Sequence, residues 1–222
     1  MNSIFAINHF KFIDRLVLNK RKEMIDIINY QLKNTEIVDA LDIGSTSDQK
    51  FKSSNFLIKN INNIRYFKSI SDQVIKDKFF SYSLVKSITD DFSDEEINKF
   101  KSDLVISNAT IEHVGSLENQ IKMVSNIIRL SKKFFILTTP NRFYPIDFHT
   151  KLPLIHWLPK KIHRKLLNIL SLKFFAKEDN LNLMSESDLK LSLNNDNIKN
   201  YKILYIRLFG FKSNFLVFGE VN

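Results

Sequence analysis

The sequence predicts an α/β fold: a seven-stranded mixed sheet, mostly parallel, closed by an antiparallel terminal hairpin and covered by helices on both faces. Three observations carry this expectation. Short β-rich runs alternate with stretches of helical periodicity, the pattern of a parallel sheet with crossover helices. Two strand-like runs at the end, 201–209 and 214–220, are separated by a short Gly-containing connection, which forces them to pair antiparallel. Gly and Pro number four each in 222 residues, too few for a turn-dense all-β, collagen-like or linker-like chain. The length fits one domain over 1–222, with an N-terminal helix in 1–35 and an insertion at about 140–180.

The elements follow in order. From Lys11 to Leu32, the apolar residues Ile13, Leu16, Val17, Met24, Ile27 and Ile28 approximate helical spacing. Ile37–Gly44 (IVDALDIG) reads as a buried strand stopped by a glycine. The polar, Asn-rich stretch 45–63 reads as a loop with a short helix at Phe56–Ile58. Strands are expected at 64–69 and 82–86. Ser93 and Glu96 fit a capping box that opens a brief helix. Asp103–Ser107 is the fourth strand. Gly115-Ser116 opens a helix with Leu117, Ile121, Val124 and Ile128 on one face. Lys133–Thr139 is the fifth strand, ended by Pro140. All four prolines fall between Pro140 and Pro159, marking a stiff, irregular insertion. Pro159 suits the first turn of a helix, with Ile162, Leu166, Ile169 and Leu170 forming its apolar stripe and Lys161, Arg164, Lys165 and Asn168 the opposite one. Ser185-Glu186-Ser187-Asp188 caps a last short helix.

Composition narrows the function. With no cysteine, a disulfide framework, a thiolate zinc site and a Cys nucleophile are excluded, and no metal centre is expected. No run of about 18 apolar residues is long enough to span a membrane. The start, MNSIFAINHFKF, lacks the layout of a signal peptide, so a cytoplasmic protein is expected. The net charge is +9, and between Phe148 and Lys177 seven Lys and Arg residues occur without one Asp or Glu. Such a block is either a solvated helix face or a contact for negative charge. As a contact, Lys160–Lys173 suits an anionic membrane surface, with a peripheral location at the inner membrane face, or a phosphate-bearing substrate. No DNA partner is expected. Charge gathered in one short helix, without an RNA-binding module, also weighs against RNA.

In an open parallel sheet, ligands bind beyond the carboxyl ends of the strands, where strand order reverses. The first strand leaves through Asp42-Ile43-Gly44-Ser45-Thr46-Ser47-Asp48. Gly44 allows close backbone approach, and Asp42 and Asp48 can accept hydrogen bonds. A single Gly falls short of the dinucleotide fingerprint, which argues against a nicotinamide dehydrogenase. The fourth strand leaves through Asn108-Ala109-Thr110-Ile111-Glu112-His113. An acid–imidazole pair there is a general acid–base or a polar lock on the loop.

ALDIG, then SDLVISNATIEHVGS, a helix and FFILTTPNRF resemble the class I S-adenosylmethionine-dependent methyltransferases, of Rossmann-like fold, and within them the type 11 group. TPNRFYPIDFHTKLPLIHWLP is similar to a subset of that group. The likeness runs from Ile37 to Pro159. It implies S-adenosylmethionine as cofactor, with Asp42, Gly44, Ser45 and Thr46 at its methionine end and Asn108 and Ala109 beneath it. It places Asp72 at the ribose, and Ser87 and Ile88, with Asp90 further on, at the adenine. Glu112 and His113 become the catalytic candidates, with His149 and His156 as further proton acceptors. The insertion lies on the substrate side, offering Asn141, Arg142, Tyr144, His149, His156 and Trp157 to the acceptor. The implied activity is methyl transfer to an oxygen, less readily a nitrogen or carbon, of a small or lipid-linked acceptor such as a cell-envelope glycan precursor. The alternatives are an RNA methyltransferase and a non-catalytic, membrane-peripheral relative that has lost cofactor binding. One departure is Ser131-Lys132-Lys133, where the family carries a Pro-Gly-Gly turn.

Overall fold

The computed structural model describes residues 2–47 and 54–222, with side chains from Arg15 onward; Asp48 lies outside the described residues. The elements run α1 (Asn2–Leu32), β1 (Asp39–Ile43), α2 (Phe56–Lys59), β2 (Tyr66–Ser71), β3 (Tyr82–Val85), α3 (Asp94–Phe100) and β4 (Ser102–Asn108). They continue with α4 (Leu117–Leu130), β5 (Ser131–Pro140), α5 (Lys160–Ile169), α6 (Glu186–Ser192), β6 (Ile198–Leu208) and β7 (Phe211–Val221). The strands form one sheet in the order β3-β2-β1-β4-β5-β7-β6. The first five are parallel, and β7 pairs antiparallel with both β5 and β6. Strand order reverses between β1 and β4, so the expected binding crevice opens there.

Alternate side chains of the central strands feed two cores, as the two-residue repeat of a strand requires. Leu41, Ile43 and Val105 pack with Met123, Val124 and Ile127 of α4 and Leu189 of α6. Ala40, Leu104 and Ile106 pack on the other face with Met24 and Ile28 of α1 and Leu57 of α2. The Ser93 and Ser185 capping boxes both form, and Ser116 caps α4 by accepting from the Asn119 amide. The β6–β7 turn is Phe209-Gly210, both at positive φ (50° and 83°), the geometry that matches a two-residue hairpin to the twist of its strands.

Some expectations change, the hairpin strands among them, which run Ile198–Leu208 and Phe211–Val221 rather than 201–209 and 214–220. Strand β2 lies two residues later than 64–69, because the Arg65 and Tyr66 amides both bond to the Val38 carbonyl as the chain enters the sheet. The Ser131-Lys132-Lys133 turn is not a turn: α4 runs straight into β5, with the Ser131 hydroxyl donating to the Ile127 carbonyl at 2.8 Å. Lys132 then approaches Asp39 at 3.6 Å and Lys133 reaches Asp103 at 3.3 Å, while Lys68 holds Asp39 at 2.8 Å. Burial pushes the Asp39 carboxyl up, but the bonds from Lys68 and the Asp103 amide outweigh it and hold it below the ordinary carboxylate range.

Helix α5 does not bury its apolar stripe. His163 and Leu167 are its buried residues, while Ile162, Ile169 and Leu170 are 49%, 69% and 52% exposed. Polar pairs beneath the helix, beside the buried Leu167, hold that face inward. Arg164 Nη2 donates to Glu178 Oε1 at 2.7 Å and to Asn182 Oδ1 at 3.4 Å, and Lys160 lies 3.8 Å from Asp188.

Candidate functional site

Gly44 is fixed by its neighbours. A Cβ there would lie 2.2 Å from Thr110 Oγ1, and its φ of 84° disfavours any L side chain. The loop beyond β1 is therefore pressed against the loop beyond β4. The Ser71 hydroxyl ties it to β2 by donating to the Ser45 carbonyl at 2.7 Å. Asn55 clips its far end through both the amide and carbonyl of Thr46. On the β4 side, Ala109 is a non-glycine residue at positive φ (53°), held by its amide bond to the Thr138 carbonyl. The Thr138 hydroxyl donates to Asn108 Oδ1 at 2.6 Å.

Two cavities flank this crossover. The first has a volume of about 610 Å³ and is walled by Gly44, Ser45, Thr46, Asp72, Ser87, Ile88 and Ala109, with His113. Asp72 is reached because it directly follows β2, whose Ile70 pairs with Ile43. Asp90 does not line the cavity; its carbonyl, with that of Ile88, accepts from Asn126 and anchors the wall. Asp42 lies in a side chamber of about 250 Å³ shared with Gly44, Asn108 and Arg21. Burial pushes its carboxyl up to about 6, against the opposing hydrogen bond from Ser45 and the charge of Lys59.

The second cavity, about 400 Å³, lies beyond Asn108 and Ala109 and is mostly apolar. Met24 of α1, Tyr144, Ile146, Phe148 and the hairpin residues Leu208 and Phe209 wall it. Tyr144 and Phe148 stack at 5.0 Å, with planes 8° apart. Glu112 and His149 interrupt this wall, as do Lys20, Arg21 and Lys151. Glu112 is fully buried, and its Oε2 accepts from Thr139 at 2.9 Å. His149 Nε2 lies 4.0 Å from Glu112 Oε1. Asp147 sets the turn that puts His149 there, accepting from the His149 amide at 2.9 Å, from its Nδ1 at 3.2 Å and from the Thr150 hydroxyl at 2.6 Å. Burial pushes the Asp147 carboxyl up, but the bonds from His149 and Thr150 dominate and hold it far below the usual range.

The strand order is 3-2-1-4-5-7-6 with the seventh strand antiparallel, and the crevice sits at its reversal. The fold is that of the class I S-adenosylmethionine-dependent methyltransferases. By sequence, no family model and no curated protein matches the chain. Solved structures do. Magnesium protoporphyrin IX methyltransferase from Synechocystis PCC 6803, with bound S-adenosylhomocysteine, aligns at TM-score 0.55 and 12% identity over 95% of this chain and 88% of that one. Burkholderia thailandensis 1,6-didemethyltoxoflavin-N1-methyltransferase, with bound 1,6-didemethyltoxoflavin and S-adenosylhomocysteine, aligns at 0.55 and 9% over 91% and 78%. N-methyltransferase NodS from Bradyrhizobium japonicum WM9, in complex with S-adenosylhomocysteine, aligns at 0.52 and 8% over 90% and 86%.

Within this methyltransferase fold, the residues expected at a cofactor gather along the 610 Å³ cavity and its side chamber. Those expected at an acceptor divide. Tyr144 and His149 line the second cavity; Asn141, Arg142, His156 and Trp157 do not, and bonds within the chain engage polar atoms of each. Asn141 donates to the Lys212 carbonyl and accepts from the Phe143 amide. Arg142 donates to the His156 and Leu158 carbonyls. His156 Nε2 and Trp157 Nε1 both meet the Tyr144 carbonyl, at 2.7 and 3.3 Å. Glu112 and His113 are neighbours without a mutual hydrogen bond: His113 turns to the first cavity, its Nδ1 2.7 Å from the Asn180 carbonyl. The sequence reading missed Arg21, whose periodic α1 looked purely structural, and Phe174, Asp179 and Asn180, which return to the first cavity without any local motif.

Proposed function

We propose that the chain is an S-adenosylmethionine-dependent methyltransferase that accepts a largely apolar, ring-bearing small molecule. The observation that carries this is the pair of cavities meeting at Ala109, polar on one side and apolar on the other. A cofactor laid along the first, with its ribose hydroxyls on Asp72, its adenine by Ser87 and Ile88 and its ammonium group towards Asp42, brings its methyl to that junction. The sulfonium is already activated, so the protein supplies orientation. The acceptor lone pair forms the new bond to the methyl carbon as the C–S bond breaks. That electron pair goes to sulfur, leaving a neutral thioether, and an acceptor proton passes to water. Glu112 and His149 are at hand to orient the accepting atom. Calorimetric titration with S-adenosylmethionine and S-adenosylhomocysteine is expected to show one site per chain, weakened by Asp72→Ala. No binding at millimolar cofactor overturns the reading.

The outward stripe of α5 supports a finer reading, a lipid-linked acceptor met at an anionic membrane surface. Ile162, Leu166, Ile169 and Leu170 share one face of the helix, flanked by the exposed Lys161, Lys165 and Lys173. An apolar stripe with a basic rim is the pattern of an interfacial helix, each cation contributing about 1 kcal/mol near such a surface. Flotation with phosphatidylserine vesicles, lost in Ile169→Glu and absent with neutral vesicles, is the expected outcome; equal flotation of the variant overturns it.

A further inference from the structure

The partition between the two cavities is itself a cluster of ligand atoms. A carboxylate oxygen of Glu112 and a ring nitrogen from each of His113 and His149 all lie within 4.8 Å of one another, and the two rings are 4.9 Å apart. We propose that Glu112, His113 and His149 hold a divalent first-row transition ion at the junction of the two cavities, with coordination positions left open for an acceptor oxygen.

Two further observations point the same way. Glu112 is fully buried, and its Oε1, which faces His149, has no hydrogen-bond partner among the described residues. Buried polar atoms are almost always satisfied, and a cation satisfies this one. Arg21 of α1 meets the Glu112 charge at longer range, which works against a cation, but leaves Oε1 without a hydrogen bond. Both imidazoles also have their second nitrogen engaged by an oxygen: His113 Nδ1 by the Asn180 carbonyl at 2.7 Å, and His149 Nδ1 by Asp147 Oδ1 at 3.2 Å. As donors in those bonds, both rings are fixed in the tautomer that leaves Nε2 its lone pair. This is the outer-shell arrangement that accompanies metal-ligating histidines.

Metal–nitrogen bonds of about 2.0–2.1 Å place ligand atoms roughly 3–3.5 Å apart, so loading draws the three groups together by an ångström or so. His113 is exposed and supplies most of that movement, while His149 is 17% exposed and held by Asp147. Two imidazoles and one carboxylate suit zinc, cobalt, iron(II) or nickel rather than magnesium or calcium, which favour all-oxygen shells. The site needs no cysteine.

The role of the ion deepens the methyl-transfer reading and rests on it. A coordinated hydroxyl or phenol acidifies, as metal-bound water does, and gives its proton to solvent water. The resulting oxygen attacks the methyl carbon, the C–S pair goes to sulfur, and the neutral ether leaves the ion. No electron is gained or lost overall, and the +2 charge is met by Glu112 and the acceptor oxygen.

The test uses the full chain stripped with a chelator and titrated with zinc chloride by calorimetry, and with cobalt chloride by visible ligand-field absorption. One ion per chain is expected, with at least a tenfold loss of affinity in Glu112→Gln and in His149→Ala, and no comparable binding of magnesium. Circular dichroism and S-adenosylhomocysteine affinity, unchanged in the variants, exclude misfolding. Should either variant fail to fold, zinc added to the wild type is expected to shift the ring NMR signals of His113 and His149 and leave those of His156 and His163 in place. Absent zinc binding, variants that bind as well as the wild type, or ring shifts elsewhere overturn the site. Zinc binding without cofactor binding leaves the site standing and refutes the methyl-transfer reading; the reverse refutes the site alone.

Discussion

Replacing Asp42 by Asn separates the needs of folding from those of ligand binding. The side chain is 6% exposed, accepts from the Ser45 hydroxyl, and has its carboxyl pushed from 3.8 to about 6 by burial. Because the folded state holds this proton more tightly than the unfolded chain, the group stabilises the fold below about pH 4. It loses that contribution as pH rises towards 6, and above 6 the native protein carries a buried charge. A shift of about two units corresponds to roughly 3 kcal/mol. Asparagine keeps the shape and an acceptor oxygen for Ser45 but cannot ionise. At pH 7.5 the unliganded variant is expected to be more stable by up to ~3 kcal/mol. For a chain of this size, at about 2–4 °C per kcal/mol, that is a Tm higher by roughly 6–12 °C. The gap should close as pH approaches 4. Cofactor affinity, measured calorimetrically on the same samples, is expected to fall, since the proposed placement puts this anion at the ammonium group. Thermal scans from pH 4 to 8 decide the matter: a gap that does not change with pH, or a variant less stable at pH 7.5, refutes the reasoning.

Gly44→Ala drives a methyl group into Thr110 at a backbone angle suited to glycine; a loss of roughly 1–3 kcal/mol in urea denaturation is expected, together with loss of cofactor binding. His163 is pushed down to about 4 by burial, against the opposing charge of Asp147. Its folded pKa lies below the unfolded value, so its contribution is intact above about 6.5 and drains away as pH falls through 4, opposite in direction to Asp42. Denaturation midpoints of His163→Gln are expected to fall less steeply over that window than those of the wild type. Ser185→Ala removes the cap that accepts from the Asp188 amide and is expected to lower stability by about 1 kcal/mol, read as a shifted urea midpoint with cofactor affinity unchanged.

The sheet was legible because its signals are local. Runs such as ALDIG and DLVIS carry their own burial pattern, and Ser93, Ser116 and Ser185 mark their helices within four residues. The crevice followed from strand order, which placed Asp42, Gly44 and Asn108 without knowledge of any partner. The orientation of helix α5 was not legible, because periodicity shows that a helix has two faces and not which of them meets the body. Only Glu178 and Asn182, distant along the chain, settle that. His156 and Trp157 have the chemistry of site residues, yet the Tyr144 carbonyl claims both. The partnership of Glu112 with His149 rather than His113 depends on the Asp147 turn, 35 residues away in sequence, and no spacing announces it.

The two-residue tip at Phe209-Gly210 has a consequence for how this molecule can change. Phe209 is 73% exposed, sits at a φ of 50° and still borders the apolar cavity. A bulky aromatic is a poor choice for that backbone angle, and asparagine would suit the turn better. The rim can therefore be resized from outside the sheet, with neither the β1 loop nor the Ala109 crossover disturbed, so the breadth of what enters can drift while the machinery beneath stays fixed.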